Sequence, residues 1–191
     1  EAGPQYRIGN LSVRGNNLFP EVDIRRLIRT QSGGIFSRET LQGDVVAITD
    51  RYAERGYLFA DVAPITDTRR TEYIVDVSLE ITEGRQAFIN RIDIVGNTRT
   101  REKVIRREIF LIEGDVFNSA LLQASRRSVE ALGFFEEVKL DTKRSTAEDQ
   151  VDVVVDVKEK PTGAFSIGGG FSSVDGLIGM VSISQSNLFG Y

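Results

Sequence analysis

One pattern occurs twice in this chain, and the spacing of the two copies sets the size of the repeating unit. Residues 88–97 read Phe-Ile-Asn-Arg-Ile-Asp-Ile-Val-Gly-Asn, and residues 7–16 read Arg-Ile-Gly-Asn-Leu-Ser-Val-Arg-Gly-Asn, 81 positions earlier. In each copy, apolar and polar residues roughly alternate before a Gly-Asn pair, which is typical of a short strand that ends in a tight turn. Self-similarity at a fixed spacing indicates a tandem repeat of one structural unit.

The composition limits what such a repeat can do. The 191 residues include 24 basic and 28 acidic side chains, for a net charge of −4, which argues against a dedicated nucleic-acid-binding protein. Cysteine, histidine and tryptophan are absent, so disulfides, thiolate metal sites, cysteine nucleophiles and Ser-His triads are excluded. The scattered carboxylates form no acid–base set, and we do not expect an enzyme.

The first unit is predicted to span residues 6–83 in the order strand, helix, helix, strand, strand. Two apolar helix faces follow from residues at helical spacing: Val22, Ile24, Leu27 and Ile28, then Leu41, Val45, Ile48 and Tyr52. Ser37 is a suitable N-cap for the second helix, and Gly56 suits the left-handed residue that ends it. Strands are predicted at residues 57–65 and 73–81, and Pro64 places the former at a sheet edge because proline lacks the N–H that a central strand donates.

The second unit repeats this order over residues 87–159. Ile105-Arg106-Arg107 matches Ile24-Arg25-Arg26 at a spacing of 81, whereas Gly133-Phe134-Phe135 matches Gly56-Tyr57-Leu58 at a spacing of 77. The loss of four residues is about one helical turn, which keeps the apolar face in phase. The second unit is therefore predicted to have the same fold as the first.

After residue 160 the repeat ends, and the sequence changes to extended segments of small and apolar residues. Thr162–Ser172 alternates small or polar residues with Phe165, Ile167 and Phe171, and a turn signal at residues 173–176 precedes a second extended segment. Ten-residue strands of this kind, joined by a tight turn, are typical of transmembrane β-hairpins, but the pattern alone also fits an exposed hairpin. The glycines at 168–170 lack the Lys and the following helix of a phosphate-binding loop, so that interpretation is rejected.

Together these features resemble the BamA family of outer-membrane β-barrel assembly factors, whose POTRA domains have the order β-α-α-β-β. The motifs that carry the resemblance are Ile92-x-Ile94-x-Gly96-Asn97, Leu132-Gly133-Phe134-Phe135, Val151-Asp152-Val153 through Lys158-Glu159, and the tail from Thr162-Gly163 to Asn187-Leu188-Phe189-Gly190. The resemblance covers the whole chain and implies an α+β fold, with two tandem POTRA domains, each a three-stranded sheet packed on two helices.

The resemblance also implies a division of the chain. Residues 1–84 would be the penultimate POTRA domain, 85–160 the last and membrane-proximal one, and 161–191 the first two strands of a truncated transmembrane barrel. These domains would be POTRA4 and POTRA5 if the parent carries five. Because the chain starts without Met or a signal peptide and stops in strand-like sequence, we expect a piece of a longer protein.

The function implied by the resemblance is the folding and insertion of β-barrel proteins into the outer membrane of a Gram-negative bacterium, with these domains in the periplasm. The implied partners are unfolded outer-membrane proteins, accessory assembly lipoproteins and the outer membrane itself, through the missing barrel. The resemblance also implies no covalent chemistry and no cofactor, and the net charge of −4 argues against nucleic acid as a partner.

Glu113 and Arg106 are the candidate partner-binding residues, because matching positions in the family help to dock an accessory assembly lipoprotein. Glu113 is the better candidate, since Ser32 stands at its place in the first unit whereas Arg25 stands at the place of Arg106. The competing interpretation is a solvated helix face.

The second strand of each unit is a candidate for pairing with an extended client through β-augmentation. The residues concerned are Tyr57, Leu58, Phe59, Phe134, Phe135 and Val138. The competing interpretation is a guarded sheet edge, protected by Pro64, Asp61 and Glu136-Glu137. In the tail, the family likeness marks Phe165, Ile167, Gly169 and Phe171 as the seam of the barrel.

Two other functions remain open at this level. One is the POTRA region of a two-partner secretion transporter, which carries two such domains before its barrel. The other is a soluble periplasmic protein-interaction module without a barrel. Further POTRA repeats upstream would favour assembly, and alternating strands after Tyr191 would exclude the soluble module.

Overall fold

The computed structural model describes residues 5–161, 163–172 and 176–185, which form two compact units that divide near Phe88 and a terminal hairpin. The first unit contains β1 (Arg7–Arg14), α1 (Glu21–Leu27), α2 (Arg38–Ala53), β2 (Asp61–Arg69) and β3 (Ile74–Thr82). The second contains β4 (Phe88–Val95), α3 (Glu102–Arg106), α4 (Ser119–Ala131), β5 (Phe135–Arg144) and β6 (Gln150–Glu159). The hairpin is β7 (Gly163–Ser172) and β8 (Gly176–Gln185).

The last strand of each unit is the centre of its sheet. The strand orders are β1-β3-β2 and β4-β6-β5, and β3 pairs parallel with β1 and antiparallel with β2. The central strands alternate most cleanly because one face lies against the helices; they bury Val75, Val77, Leu79, Ile81, Val151, Val153, Val155 and Val157. The edge position predicted for the second strands is confirmed, and the first strands are edges as well, which the sequence had not indicated.

The second helix of the first unit forms as predicted. The Ser37 hydroxyl accepts the N–H of Thr40 at 3.2 Å, and Gly56 ends the turn after α2 at φ +87°. Tyr52 is fully buried, and its ring meets that of Phe19 edge-on with 5.0 Å between centroids. Such an aromatic pair adds about 0.5–1.5 kcal/mol to the stabilisation from burial alone.

The apolar face predicted for the first helix is wrong for two of its residues. Helix α1 is only seven residues long, and Ile24 is the residue that it buries. Val22 is 60% exposed and Leu27 is 38% exposed, because a two-turn helix covers the core with a narrow stripe. Helix α4 buries Leu122, Ser125 and Val129.

The second strands begin later than predicted. Tyr57 lies in a turn, because its N–H bonds to the carbonyl of Tyr52 at 3.0 Å and its own carbonyl accepts the N–H of Ala60 at 3.2 Å. Leu58 and Phe59 follow in the same turn, so β2 starts four residues after the predicted position.

The hairpin predicted at the end of the chain is present, with register from Gly163↔Gln185 to Ser172↔Gly176. Ile167 pairs with Val181, and their side chains are 74% and 67% exposed. The turn predicted at residues 173–176 falls largely outside the described residues. None of the helices described is long and apolar enough to cross a membrane.

Candidate protein-interaction surfaces

Glu113 and Arg106 meet at one residue of the edge strand β4. Glu113 Oε1 accepts the N–H of Ile92 at 2.8 Å, and Arg106 Nη2 donates to the carbonyl of Ile92 at 3.2 Å. Arg106 Nη1 lies 3.8 Å from Glu113 Oε1. The structure thus brings the two predicted residues together around both main-chain groups of Ile92, an arrangement we call the Ile92 corner.

The Ile92 corner is open to solvent. The side chains of Arg106 and Glu113 are 45% and 49% exposed. Glu102, one turn earlier on α3, accepts from Arg106 at 2.7 Å and fixes the direction of the guanidinium. A carboxylate has about four acceptor sites on its two oxygens, so Glu113 can bond to Ile92 and still receive a cation from outside.

The first unit has only half of this arrangement. Arg25 Nη2 donates to the carbonyl of Leu11 at 2.7 Å and pairs with Glu21, as Arg106 does with Glu102. Ser32 stands where the second unit has Glu113. The arginine is therefore a structural feature of both repeats, whereas the carboxylate belongs to the second unit.

The edges of the first strands are partly occupied by the chain itself. The N–H of Ile8 bonds to the carbonyl of Gly34 at 2.8 Å, and the N–H of Gly33 bonds back to Ile8 at 2.7 Å. In the second unit, the N–H of Gly114 bonds to the carbonyl of Ile89 at 2.6 Å. The isolated bridges Arg7↔Ile35 and Phe88↔Val116 also lie on the first strands, so β2 and β5, at the opposite edges of the described sheets, are the better edges for an incoming strand.

Most of the side chains predicted for edge pairing do not lie on that edge. Phe134, like Tyr57, precedes its strand, and its carbonyl accepts the N–H of Lys160 at 3.0 Å. Phe135 and Val138 lie on β5, but each is only 7% exposed because it packs into the core. Pairing at β5 would therefore use main-chain groups and not these side chains.

In each unit, one carboxylate that the sequence analysis did not identify holds the turn after the first strand. Glu83 Oε1 accepts the N–H of Leu18 at 2.7 Å and the hydroxyl of Tyr52 at 2.8 Å. Burial alone would raise the pKa of the Glu83 carboxyl, but these hydrogen bonds outweigh burial and hold that pKa below its ordinary value. Burial, and after it the hydrogen bond to Glu83, raises the pKa of Tyr52.

Glu159 holds the matching turn in the second unit. It accepts the N–H groups of Arg99 and Thr100 at 2.9 and 2.6 Å and the hydroxyl of Thr98 at 2.7 Å. Burial opposes ionisation here too, and the hydrogen bonds again hold the pKa of Glu159 below its ordinary value. Alignment of the two units could have revealed these glutamates, because Glu83 and Glu159 both follow the last apolar residue of a central strand.

The predicted seam residues occupy alternate positions of β7. In register they stand opposite Ile183, Val181, Gly179 and Leu177 of β8. No cluster of three or more acidic side chains suited to a metal ion occurs among the residues described.

Two consecutive β-α-α-β-β units and a hairpin define a tandem array of small α+β domains joined to an extended two-stranded element. The POTRA family model, described as a surface antigen variable number repeat, matches residues 6–84 and 87–160. The chain belongs to this family, and each of its units is a POTRA domain.

The chain is also similar to outer membrane protein assembly factor BamA of Neorickettsia risticii (strain Illinois), with 32% identity over 98% of this chain and 25% of the relative. BamA of Neisseria meningitidis serogroup B is 29% identical over 98% of this chain and 24% of the relative. The crystal structure of BamA from Haemophilus ducreyi lacking POTRA domains 1–3 is 25% identical, with a TM-score of 0.76 over 97% of this chain and 35% of that one. The resemblance to the BamA family is confirmed, and the chain spans about a quarter of the length of these curated relatives.

Proposed function

We propose that this chain is the membrane-proximal periplasmic part of an outer-membrane protein assembly factor that helps β-barrel proteins to fold and insert. The observation that carries the proposal is that the likeness to BamA lacking POTRA domains 1–3 covers 97% of the chain and thus reaches the hairpin. Residues 1–84 and 85–160 would be the last two POTRA domains, and residues 161–191 the first two barrel strands.

The clients would be unfolded outer-membrane proteins, taken up through main-chain pairing. A strand that enters a membrane must have its N–H and C=O groups bonded before it meets lipid. The edges of β2 and β5 offer such groups, and pairing of this kind is insensitive to client sequence. This suits an assembly factor with many different clients.

The Ile92 corner would dock an accessory assembly lipoprotein through Glu113. Three observations support this: the carboxylate is half exposed, it is oriented by the N–H of Ile92, and the first unit has no counterpart. The complementary group on the lipoprotein would be an arginine or lysine, because a carboxylate fixed by its surroundings favours a charge-assisted hydrogen bond.

The docking test is binding of the purified lipoprotein to three variants. We expect Glu113→Lys to abolish binding, because it places a cation opposite the cation of the partner. Glu113→Gln keeps an oxygen for the N–H of Ile92 but removes the charge, and it should weaken binding about tenfold or more. Ser32→Lys is the matched control at the same position of the first unit, and it should bind normally.

The Gln variant separates docking from local structure. Normal binding by Glu113→Gln, with circular dichroism and unfolding unchanged, would show that the charge of Glu113 is not recognised and would overturn its docking role. If Ser32→Lys lost as much lipoprotein binding as Glu113→Lys, the effect of Glu113→Lys would come from overall charge.

The hairpin would supply the seam of the barrel at β7. The glycines at 168–170 bring no side chains to the strand, which favours a weakly held edge that client strands can enter. Crosslinks from Ile167 to clients during assembly would support this, and a position that never captures a client would contradict it.

A further inference from the structure

The segment after α3 exposes two large apolar side chains directly before Glu113. Phe110 is 49% exposed and Ile112 is 63% exposed, whereas Leu111 between them is 6% exposed and belongs to the core. Residues 109–112 lie in neither a helix nor a strand. The alternation of exposed and buried side chains turns Phe110 and Ile112 away from the core, and we call these two residues the apolar patch.

The apolar patch is fastened to the second helix of its unit. The Ser125 hydroxyl accepts the N–H of Phe110 at 2.8 Å and donates to the carbonyl of Leu121 at 2.8 Å. One hydroxyl therefore joins the main chain of the patch to the first turn of α4. The side chain of Leu121 is 41% exposed, so an apolar group stands at the surface of that turn too.

The fold does not require apolar residues at these places. At a spacing of 81, the first unit has Arg29 in place of Phe110. It has Gln31 in place of Ile112. The segment is fastened to the second helix there as well, because the N–H of Arg29 bonds to Asp44 at 2.7 Å. Neighbouring exposed apolar groups that the fold does not need are typical of an interaction surface.

The apolar patch borders a charge whose direction is fixed. Ile112 is followed by Glu113, whose carboxylate accepts the N–H of Ile92 at 2.8 Å. Tight protein interfaces have apolar anchors at their centre and polar contacts around them that exclude water. Exclusion of water strengthens a hydrogen bond to a charged group, because the local dielectric constant falls. The patch and Glu113 therefore suit the centre and the rim of one surface.

A folded protein fits this surface better than a client strand or a bilayer. A client strand pairs with the main chain of an edge strand, and the apolar patch does not lie on a strand. A bilayer would meet the exposed carboxylates of Glu113 and Asp115, which a negatively charged headgroup layer repels. A folded partner with an apolar face and a neighbouring cation satisfies both parts of the surface.

We propose that Phe110 and Ile112 form the apolar centre of the surface that docks the accessory lipoprotein. The proposal rests on the proposed function, in which the lipoprotein docks at Glu113. It adds the kind of surface that the lipoprotein presents, which is an apolar helix face bordered by an arginine or lysine. Burial of the two apolar side chains supplies most of the affinity, so binding depends little on salt, which screens charges but not apolar contacts.

The test measures binding of the purified lipoprotein to the 191-residue chain by isothermal titration calorimetry. The patch variant combines Phe110→Gln with Ile112→Gln and keeps Glu113. The matched control combines Val22→Gln with Ile65→Gln, at two apolar side chains of the first unit that are 60% and 49% exposed. We expect the dissociation constant to rise at least about thirtyfold in the patch variant and less than about twofold in the control.

A single variant separates loss of contact from loss of structure. Ile112→Gln changes the more exposed residue of the patch to the residue type that the first unit has there, so the fold should be unaffected. It should weaken binding about tenfold, with unchanged circular dichroism and urea unfolding. For the unmodified chain, raising the salt concentration from about 0.1 M to about 1 M should weaken binding less than about fivefold.

Unchanged binding by the patch variant, with weakened binding by Glu113→Gln, would overturn the apolar contact and leave the docking role of Glu113 standing. Absence of binding by the unmodified chain would overturn both. An equal loss in the control would also overturn the proposal, as would a much steeper dependence on salt. Two further assays use phosphatidylcholine vesicles and an unfolded outer-membrane protein. If the patch variant lost binding to either of these but kept the lipoprotein, the patch would belong to the bilayer or to the client, and the proposal would be wrong.

Discussion

At position 44 the first unit buries a carboxylate, and at the matched position 125 the second unit buries a hydroxyl. Asp44 accepts the N–H groups of Arg29 and Thr30 at 2.7 and 2.9 Å. Ser125 accepts the N–H of Phe110 at 2.8 Å and donates to the carbonyl of its own helix at 2.8 Å. Both side chains fasten the segment after the first helix to the second helix.

On the outer face of the sheet the acceptor is kept and the donor changes. Asp76 accepts the N–H of Asn10 at 2.6 Å, within the irregular part of β1, and Asp152 of the second unit accepts from the side chain of Asn90 at 2.6 Å. Gly9 stands where the second unit has Asn90. The fold therefore needs an acceptor at these places, and the donor can change from main chain to side chain.

Less buried positions follow a different rule. Leu27 and Ala47 of the first unit correspond to Glu108 and Ser128 of the second, where the serine hydroxyl donates to the glutamate at 2.7 Å. Buried polar positions keep their bonding role across the repeat, but less buried positions change their chemistry. The difference between Glu113 and Ser32 belongs to the second kind, which is where separate functions can arise.

The largest effect should come from removing the buried carboxylate. Asp44→Ala leaves the N–H groups of Arg29 and Thr30 without their acceptor, and we expect it to lower the free energy of unfolding by about 3–5 kcal/mol. Ser125→Ala leaves only the N–H of Phe110 without its acceptor, and we expect it to lower the free energy of unfolding by about 1–2 kcal/mol. Urea unfolding followed by circular dichroism measures both. Equal losses would show that the charge and the second bond of Asp44 add nothing.

A smaller effect is expected at the glycine after each first strand. Gly96 has φ +85°, and a Cβ there would overlap the carbonyl oxygen of Val157. Gly96→Ala should therefore destabilise the second unit by about 2–3 kcal/mol, through both backbone strain and this contact. Gly133 has φ +75° with no atom within 4 Å of the added carbon, so Gly133→Ala is the control that isolates strain, at about 1 kcal/mol.

Gly15 extends this test to the first unit, where an added Cβ would overlap the carbonyl oxygen of Ile81 at φ +80°. Gly15→Ala should match Gly96→Ala in its effect on the urea midpoint. If Gly96→Ala cost no more than Gly133→Ala, the close approach of the two strands would not be a constraint of the repeat.

The order of elements could be predicted because it depends on local periodicity that the repeat shows twice. Strand starts could not, since Tyr57 has the residue type of a strand but is held in a turn by Tyr52. The exposure of Val22 and Leu27 was missed because the spacing of apolar residues does not reveal how short a helix will be. The packing of the folded chain decides both where a strand starts and how long a helix is.

The candidate site was only partly predictable for a similar reason. Family resemblance marked Glu113 and Arg106 separately, but nothing in their spacing indicated that both bond to Ile92. Glu83 and Glu159 are single acidic residues after a strand, and their role depends on a turn about 60 residues away along the chain. Such long-range contacts leave no local signal unless the two repeats are aligned position by position.

The smallest effect should come from the turn-holding glutamates, and it should depend on pH. Their pKa values lie below the ordinary value in the folded chain, because hydrogen bonds from Leu18 and Tyr52, or from Thr98, Arg99 and Thr100, favour the ionised form. Their contribution is therefore complete above the unfolded-state pKa and is lost as the pH falls through the lower folded-state pKa. Glu159→Gln keeps one acceptor oxygen and should cost about 1 kcal/mol at pH 7.

Unfolding measured as a function of pH tests the comparison between the units. Glu83→Gln and Glu159→Gln should each remove part of the acid sensitivity, and the double variant should remove more than either. Glu113→Gln is the control, since it alters a half-exposed carboxylate outside these turns. If the control flattened the pH profile as much as Glu159→Gln does, the acid sensitivity would belong to carboxylates in general, and the shared turn would not be its source.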